Sequence, residues 1–269
     1  MIYLLSFLFF LFFLFFLFFL LIIANICFYK NKEGFTENET ELVIARYNED
    51  LEWIKNEPFN KYKYTVYNKG PNENYVKTEK FKKEFKLDNV GRETHSYLTH
   101  IINNYDNKSF ADITIFIPGS IELENRYERS KRLFEKIPLV EKTDLFSCMY
   151  YNNEPVVQHC KDFSIDKYLS SNNNNRSINT DDSMFLEEIR PYSKWYNHLF
   201  NDNNIESKCF TQNSMFGITK ETILKKPKSY YESLISRVNK HHNHEAVHYF
   251  ERSWETVFYP AFDKVLHVL

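Results

Sequence analysis

Asp88-Asn89-Val90-Gly91-Arg92-Glu93-Thr94-His95 is a polar turn around a glycine, and it runs straight into Tyr97-Leu98-x-x-Ile101-Ile102-x-x-Tyr105. Apolar residues at that spacing predict an amphipathic helix, so residues 89–93 should form the loop that opens it. The start of a helix offers unpaired backbone N–H groups and a positive dipole end, which suit an anion. Arg92 adds a planar cation at the same place, and Glu93 an acceptor for a ribose hydroxyl or a metal. These residues by themselves favour a capped surface helix with an incidental Arg–Glu pair. Their neighbours decide between the two.

Upstream, Leu42-Val43-Ile44-Ala45 is a short apolar run of the kind found in buried strands, and it ends at Arg46-Tyr47-Asn48-Glu49. A helical turn or two is expected over Glu49–Ile54, closed by Pro58. Tyr62-Lys63-Tyr64-Thr65-Val66-Tyr67 is rich in strand formers and stops at the turn signal Asn68-Lys69-Gly70. A charged connection, 72–86, leads to the opening stretch and its helix. Asp112-Ile113-Thr114-Ile115-Phe116-Ile117 is then a strong strand broken at Pro118-Gly119. Strands alternating with helices predict an α/β fold, a mostly parallel sheet flanked by helices on both faces. In such sheets ligands gather at the carboxyl ends of the strands. Those ends are Arg46–Glu49, Tyr67–Gly70 and Pro118–Ser120, beside Asn89–Glu93.

Farther along, Arg126–Ile137 reads as a charged helix, and 139–168 shows no clear pattern. Ser170–Asn175 is low in complexity and reads as a mobile surface loop. Phe210–Ile218 reads as a strand or loop with a polar centre, and helices are expected over 220–225, 227–239 and 245–258.

Residues 1–29 contain no charged side chain and hold ten of the 26 phenylalanines. Such a run is long enough to span a hydrocarbon core of about 30 Å. It lacks the basic start, short apolar core and small-residue exit of a cleavable signal. The expected organisation is therefore a transmembrane anchor at 1–29, a polar stalk at 30–40 and an α/β domain at 41–269. The protein would be single-pass, in a host endomembrane or a virion membrane. Lys30 and Lys32 favour a cytosolic domain by the positive-inside rule. A formal net charge of −2 gives no electrostatic footprint for nucleic acid. Cys148, Cys160 and Cys209 match neither C-x-x-C nor a zinc pattern, and leave the redox compartment open. Asn38, Asn107 and Asn175 each begin an N-glycosylation triplet, close to chance in so Asn-rich a chain.

Val43-Ile44-Ala45-Arg46-Tyr47-Asn48-Glu49 resembles the opening strand and Y-N-E turn of GT-A glycosyltransferases. Asn89-Val90-Gly91-Arg92-Glu93, a helix and the 113–117 strand resemble their next landmark. A-R-Y-N-E-D-L-x-W, Y-N-K-G, N-V-G-R-E-x-H-x-Y-L and the late Glu251-Arg252-Ser253-Trp254 are more closely similar to an uncharacterised family of fungal and large-DNA-virus proteins viewed as glycosyltransferase-like. The likeness is close over 41–120 and loose over 210–258. It implies a GT-A-like sheet and a nucleotide-sugar donor held by Arg46, Asn48, Glu49, Asn89 and Arg92. By motif position it also implies Glu251 as the base that deprotonates the acceptor hydroxyl. GT-A enzymes usually end the next strand with D-x-D, whose carboxylates hold a divalent metal. Here that place reads Phe116-Ile117-Pro118-Gly119-Ser120, with no acid. A divalent cofactor stays open, no metal ligand is assigned, and Arg92 and Lys69 are the cations able to replace it. A non-catalytic protein with a degenerate GT-A fold is a further reading.

His244-Glu245-Ala246-Val247-His248 is a literal H-E-x-x-H. On a helix it would set two imidazoles on one face for zinc, with Glu245 as general base of a metallohydrolase. The longer zincin pattern does not continue, since positions 251 and 254 are Glu and Trp.

Overall fold

A computed structural model describes residues 39–123, 125–139, 142–151, 154–200, 207–259 and 264–269. The expected membrane span, 1–29, and most of the expected stalk lie outside these residues. Thr40, assigned above to the stalk, is the first residue of a strand. Among the described residues no helix is long and apolar enough to cross a membrane.

The strands are β1 (Thr40–Arg46), β2 (Lys63–Asn68), β3 (Phe81–Lys86), β4 (Ile113–Pro118), β5 (Asp144–Met149), β6 (Phe210–Thr219) and β7 (Val265–Val268). They form one sheet in the order β3-β2-β1-β4-β6-β5-β7. β3, β2, β1 and β4 run parallel, β6 lies antiparallel between β4 and β5, and β7 pairs in parallel with β5. The helices are α1 (Arg92–Tyr105), α2 (Arg126–Lys136), α3 (Val156–His159), α4 (Asn173–Ile178), α5 (Tyr192–Phe200), α6 (Lys220–Lys225), α7 (Lys228–Ile235), α8 (Glu245–Glu251) and α9 (Trp254–Phe258). The expected mixed α/β architecture, with a mostly parallel sheet flanked by helices, is the one observed.

The central strands read as continuous apolar runs because they are buried on both faces. Alternate residues serve two cores. Leu42, Ile44, Ile113, Ile115 and Ile117 face one with Trp53, Phe59 and α2, while Val43 and Phe116 face the other with α1, α5, α8 and α9. Tyr97, Phe116, Phe216 and Trp254 make an aromatic chain across that second core, with Tyr97–Phe116 at 5.1 Å and Phe216–Trp254 at 4.7 Å between ring centres.

Strands β3, β5 and β7 escape the pattern rules. β3 (Phe-Lys-Lys-Glu-Phe-Lys) stands at the sheet edge, where exposed positions carry charge and the alternation dilutes to two phenylalanines. The turn expected over Glu49–Ile54 is a 3-10 helix at Glu52–Lys55, entered through Leu51 at φ 61°. The helix expected over 245–258 is two helices. Ser253 Oγ donates to the Tyr249 carbonyl at 3.0 Å, a local bond that competes with helix continuation.

Candidate functional site

Strand order reverses at β1, with β2 on one side and β4 on the other, and a crevice opens at the carboxyl ends of strands at such a point. Ala45 pairs with both Tyr67 and Pro118, so the three strands end level. Above them lies a cleft of about 790 Å³, its open mouth included. Its lining includes Arg46 and Glu49 from the end of β1, Lys69 after β2, Asn89, Arg92 and Glu93 at the start of α1, and Pro118 and Ser120 after β4. The segments singled out from sequence thus meet in one place.

The start of α1 is built on Gly91, at φ 56°. Its N–H donates to the His241 carbonyl at 2.8 Å, and a Cβ there would stand 2.2 Å from the Val238 carbonyl oxygen. Only glycine meets both demands. Lys69 reaches under this turn and donates to the carbonyls of Val90 and Arg92, both at 2.5 Å. Burial pushes its ammonium down to about 7, against the pull of Glu93. The Arg92 guanidinium lies over the Tyr168 ring at 4.5 Å and 3.6 Å from Glu93. Burial works against its charge, and Tyr168 and the carboxylates of Glu93, Glu251 and Glu49 outweigh that cost. Arg92 is therefore a fixed cation on the cleft wall, in reach of a helix start.

Three residues assigned above to the donor do structural work. Arg46 is buried, and donates from Nε to the Glu49 carbonyl at 2.7 Å and from Nη1 to Asn68 Oδ1 at 2.8 Å and the Asn72 carbonyl at 2.6 Å. Its charge ties the loop ends of β1 and β2 together, and only Nη2 is without a partner among the described residues. The Asn48 side chain donates to the Asn174 carbonyl and accepts from Asn72 Nδ2, and Asn48 is absent from the cleft lining. The Glu49 carboxylate accepts from the N–H groups of Tyr47 and Asn48 at 2.7 and 3.1 Å and from Asn175 Nδ2 at 2.7 Å. It also fills the end of β4, where a Cβ on Gly119 would meet Glu49 Oε2 at 3.0 Å. With its lone pairs so engaged, this carboxylate does not suit a metal, and the end of β4 supplies no other.

The opposite wall had no clear signal in the sequence. Residues 168–181 fold back over the cleft, with Tyr168, Ser170, Asn175, Asn179 and Asp181 lining it. Ser170–Asn175, expected as a mobile surface loop, instead leads into α4, which is bound to the carboxyl end of the sheet. Asn175 holds Glu49 and accepts from the Asn48 N–H at 3.2 Å, and Asn172 caps α4 and donates to Glu122. Arg126 donates to Ser120 Oγ and Ser171 Oγ, both at 3.1 Å, closing one corner. With its side chain engaged in this way, Asn175 is a poor glycosylation acceptor, whereas Asn107 is exposed.

Glu251 sits one layer behind, outside the cleft lining. It faces a bulge in β6, where Asn213 and Ser214 hold φ of 58° and 54° and the register with β5 shifts. Two consecutive non-glycine residues in the left-handed region are strained, and such strain gathers at functional sites. Glu251 Oε1 accepts the Asn213 N–H at 2.7 Å, Ser214 Oγ donates to Glu93 at 3.4 Å, and Arg129 donates to Asn213 Oδ1 at 2.9 Å. Burial, helped by Glu93 and opposed by Arg252, raises the Glu251 carboxyl above the ordinary range. The bulge is the polar centre seen in the 210–218 sequence.

The H-E-x-x-H residues do lie at the start of α8, but the glutamate is committed. Glu245 is fully buried and accepts from the N–H groups of Ile165 and Glu187 at 3.2 and 3.0 Å, from Arg190 Nε at 3.1 Å and from Tyr249 OH at 2.6 Å. A carboxylate so saturated has no lone pair to activate water. His244 packs its ring 4.6 Å from Phe185, and His248 packs 4.7 Å from Tyr168 and is pushed down to about 3 by burial, then by Arg92 and Arg252. Among the described residues, neither histidine belongs to a group of three potential metal ligands.

Cys148 of β5 and Cys209, just before β6, form a disulfide, and Cys160 is free.

The model of a family described as "Protein of unknown function (DUF3431)" matches residues 42–265, and the chain belongs to that family. No curated protein matches the chain.

Proposed function

We propose that this family member is a membrane-anchored, GT-A-like glycosyltransferase that moves a sugar from a nucleotide donor held in the cleft to an acceptor hydroxyl. The observation that supports it most is the meeting of Arg92 and the α1 start with the level ends of β1, β2 and β4, at the point where strand order reverses. Arg92 and the α1 N–H groups suit a diphosphate, and Arg126 beside Ser120 brings a second guanidinium to the same cleft. Asn89 is left to meet the ribose, while Arg46, Asn48 and Glu49 act by holding the loops. In this reading the acceptor oxygen attacks the anomeric carbon as the bond to the diphosphate breaks. The acceptor proton goes to the neighbouring carboxylates Glu93 and Glu251, of which Glu93 lines the cleft and Glu251 stands behind it, fixed by the Asn213 N–H of the β6 bulge, and the diphosphate leaves against Arg92.

Residues 1–29 supply the anchor. The Cys148–Cys209 disulfide favours a domain that matures in an oxidising compartment, against the vote of Lys30 and Lys32. Sugar attachment at Asn107 in a secretory-pathway expression host distinguishes the two orientations.

The test is calorimetric titration of the full chain in detergent with nucleoside diphosphates. Binding is expected, weakened roughly 10- to 100-fold by Arg92→Ala, the range for one charged hydrogen-bonding group. The absence of binding by any nucleoside diphosphate, or an unchanged affinity in the variant, removes the proposal.

A further inference from the structure

We propose that Asp181, His241 and His242 form a divalent-metal site beside the cleft, of the two-histidine, one-carboxylate kind that takes first-row transition ions. The potential ligand atoms of these three residues lie within 4.8 Å of one another. His242 Nε2 stands 4.0 Å from Asp181 Oδ2. Metal–nitrogen and metal–oxygen bonds of about 2.0–2.2 Å place ligand atoms roughly 3–3.5 Å apart, so closure on an ion brings them together by about 0.5–1.8 Å, shared between two side chains. That is within reach of side-chain torsions.

A second observation points to a ligand. His242 Nε2 is buried and has no hydrogen-bond partner among the described residues, and His242 lines the cleft together with Asp181. A buried ring nitrogen left unpaired costs free energy that a metal bond would return.

The surroundings hold the ligands as metal sites require. His241 Nδ1 lies 3.0 Å from the Asn243 carbonyl and 3.1 Å from the Asn243 N–H, and in the tautomer that donates to the carbonyl its Nε2 is left for an ion. Asp181 Oδ1 accepts the Ser183 N–H at 2.9 Å, leaving Oδ2 toward His242. Asn243 fastens the two ligand-bearing segments together, donating from Nδ2 to the Ser183 and Tyr168 carbonyls at 3.1 and 2.9 Å. The His241 carbonyl in turn holds Gly91, next to Arg92.

Three protein ligands leave coordination positions open on the ion, facing the same cleft as Arg92. Two cations on one cleft repel unless an anion lies between them. On the sugar-transfer reading that anion is the donor diphosphate, so metal and nucleoside diphosphate should each tighten the other's binding by the same factor.

Calorimetric titration of the full chain in detergent with Co²⁺ is the test. One ion per chain is expected, with affinity reduced at least tenfold by Asp181→Asn and by His242→Gln and unchanged by His198→Ala at an exposed histidine. Thermal unfolding of the metal-free variants should match that of the parent chain, because Asp181 is exposed and His242 only partly buried. No stoichiometric binding, or equal binding by both ligand variants, overturns the site. A repeat with UDP or GDP present separates the two claims. Co²⁺ bound through these residues without any nucleotide effect keeps the site and counts against the sugar-transfer reading. Nucleotide binding without Co²⁺ binding does the reverse.

Discussion

Substituting Glu245 separates a buried structural carboxylate from a metallohydrolase base. In the fold this side chain is fully buried, and its two oxygens satisfy the N–H groups of Ile165 and Glu187, the Arg190 guanidinium and the Tyr249 hydroxyl. Glu245→Ala removes the acceptor for all four. Breaking a buried ion pair from one side costs about 3–5 kcal/mol, and each buried N–H left unsatisfied costs about 1–3 kcal/mol. Arg190 softens the loss, because its side chain is 28% exposed and it keeps Asp166 as a partner at 2.5 Å. The expected destabilisation is therefore about 3–5 kcal/mol for Glu245→Ala. Glu245→Gln, which keeps one acceptor oxygen, should cost roughly 2–3 kcal/mol by the same reasoning. The measurement is urea unfolding of the full chain at pH 7, followed by tryptophan fluorescence, since Trp195 and Trp254 are fully buried. A base positioned for catalysis would give the opposite result, with stability kept and activity lost. A cost below about 1 kcal/mol for Glu245→Ala would refute the assignment of this glutamate to structure.

Three further outcomes follow from the same structure. His100 and His248 are buried neutral and pushed down to about 4 and about 3, so below an unfolded value near 6.5 only the unfolded chain takes up their protons. Each should cost about 2 kcal/mol of stability as pH falls from 6.5 to 5. His95 and His244, pushed down to about 4, add to the fall, and Glu122 and Glu187, raised to about 7, oppose it. The check is therefore the difference in urea titrations between the parent chain and His248→Leu, about 2 kcal/mol over that range. The Cys148–Cys209 bridge closes a separation of 61 residues, for which the chain-entropy model gives about 4 kcal/mol, so a Cys148→Ser, Cys209→Ser double variant should show that loss in the same assay. Gly91→Ala puts a Cβ against the Val238 carbonyl at positive φ, and should cost more than about 1 kcal/mol and weaken nucleotide binding together with stability, because the turn that carries Arg92 must shift.

Much of one wall of the site is legible in the sequence. Leu42–Ala45, Tyr62–Tyr67 and Ile113–Ile117 announce themselves because strands buried on both faces need uninterrupted apolar residues, and α1 because one face of a helix must be apolar. The turns that follow them carry polar residues and glycine, so the level strand ends and the Asn89–Glu93 turn could be placed together by topology alone. Individual roles were harder. Asn48 and Glu49 sit in the right loop, yet their hydrogen bonds run to Asn72, Asn174 and Asn175, partners set by tertiary contact. Glu245 carried a catalytic motif, and burial beside Arg190 made it structural.

The sequence by itself determined the α/β class, the crevice at the carboxyl ends of β1, β2 and β4, and the cation and helix start that face it. Periodicity and turn chemistry are local, and each of these features lies within a few residues of its signal. Only the tertiary structure decided the second wall. Residues 168–181 and 241–243 have no period to read, since asparagine, serine and histidine serve a surface loop and a binding site equally well. Their meaning comes from chain segments far apart in sequence, where Asn243 fastens to Ser183, 60 residues away, and the His241 carbonyl holds Gly91, on which α1 begins.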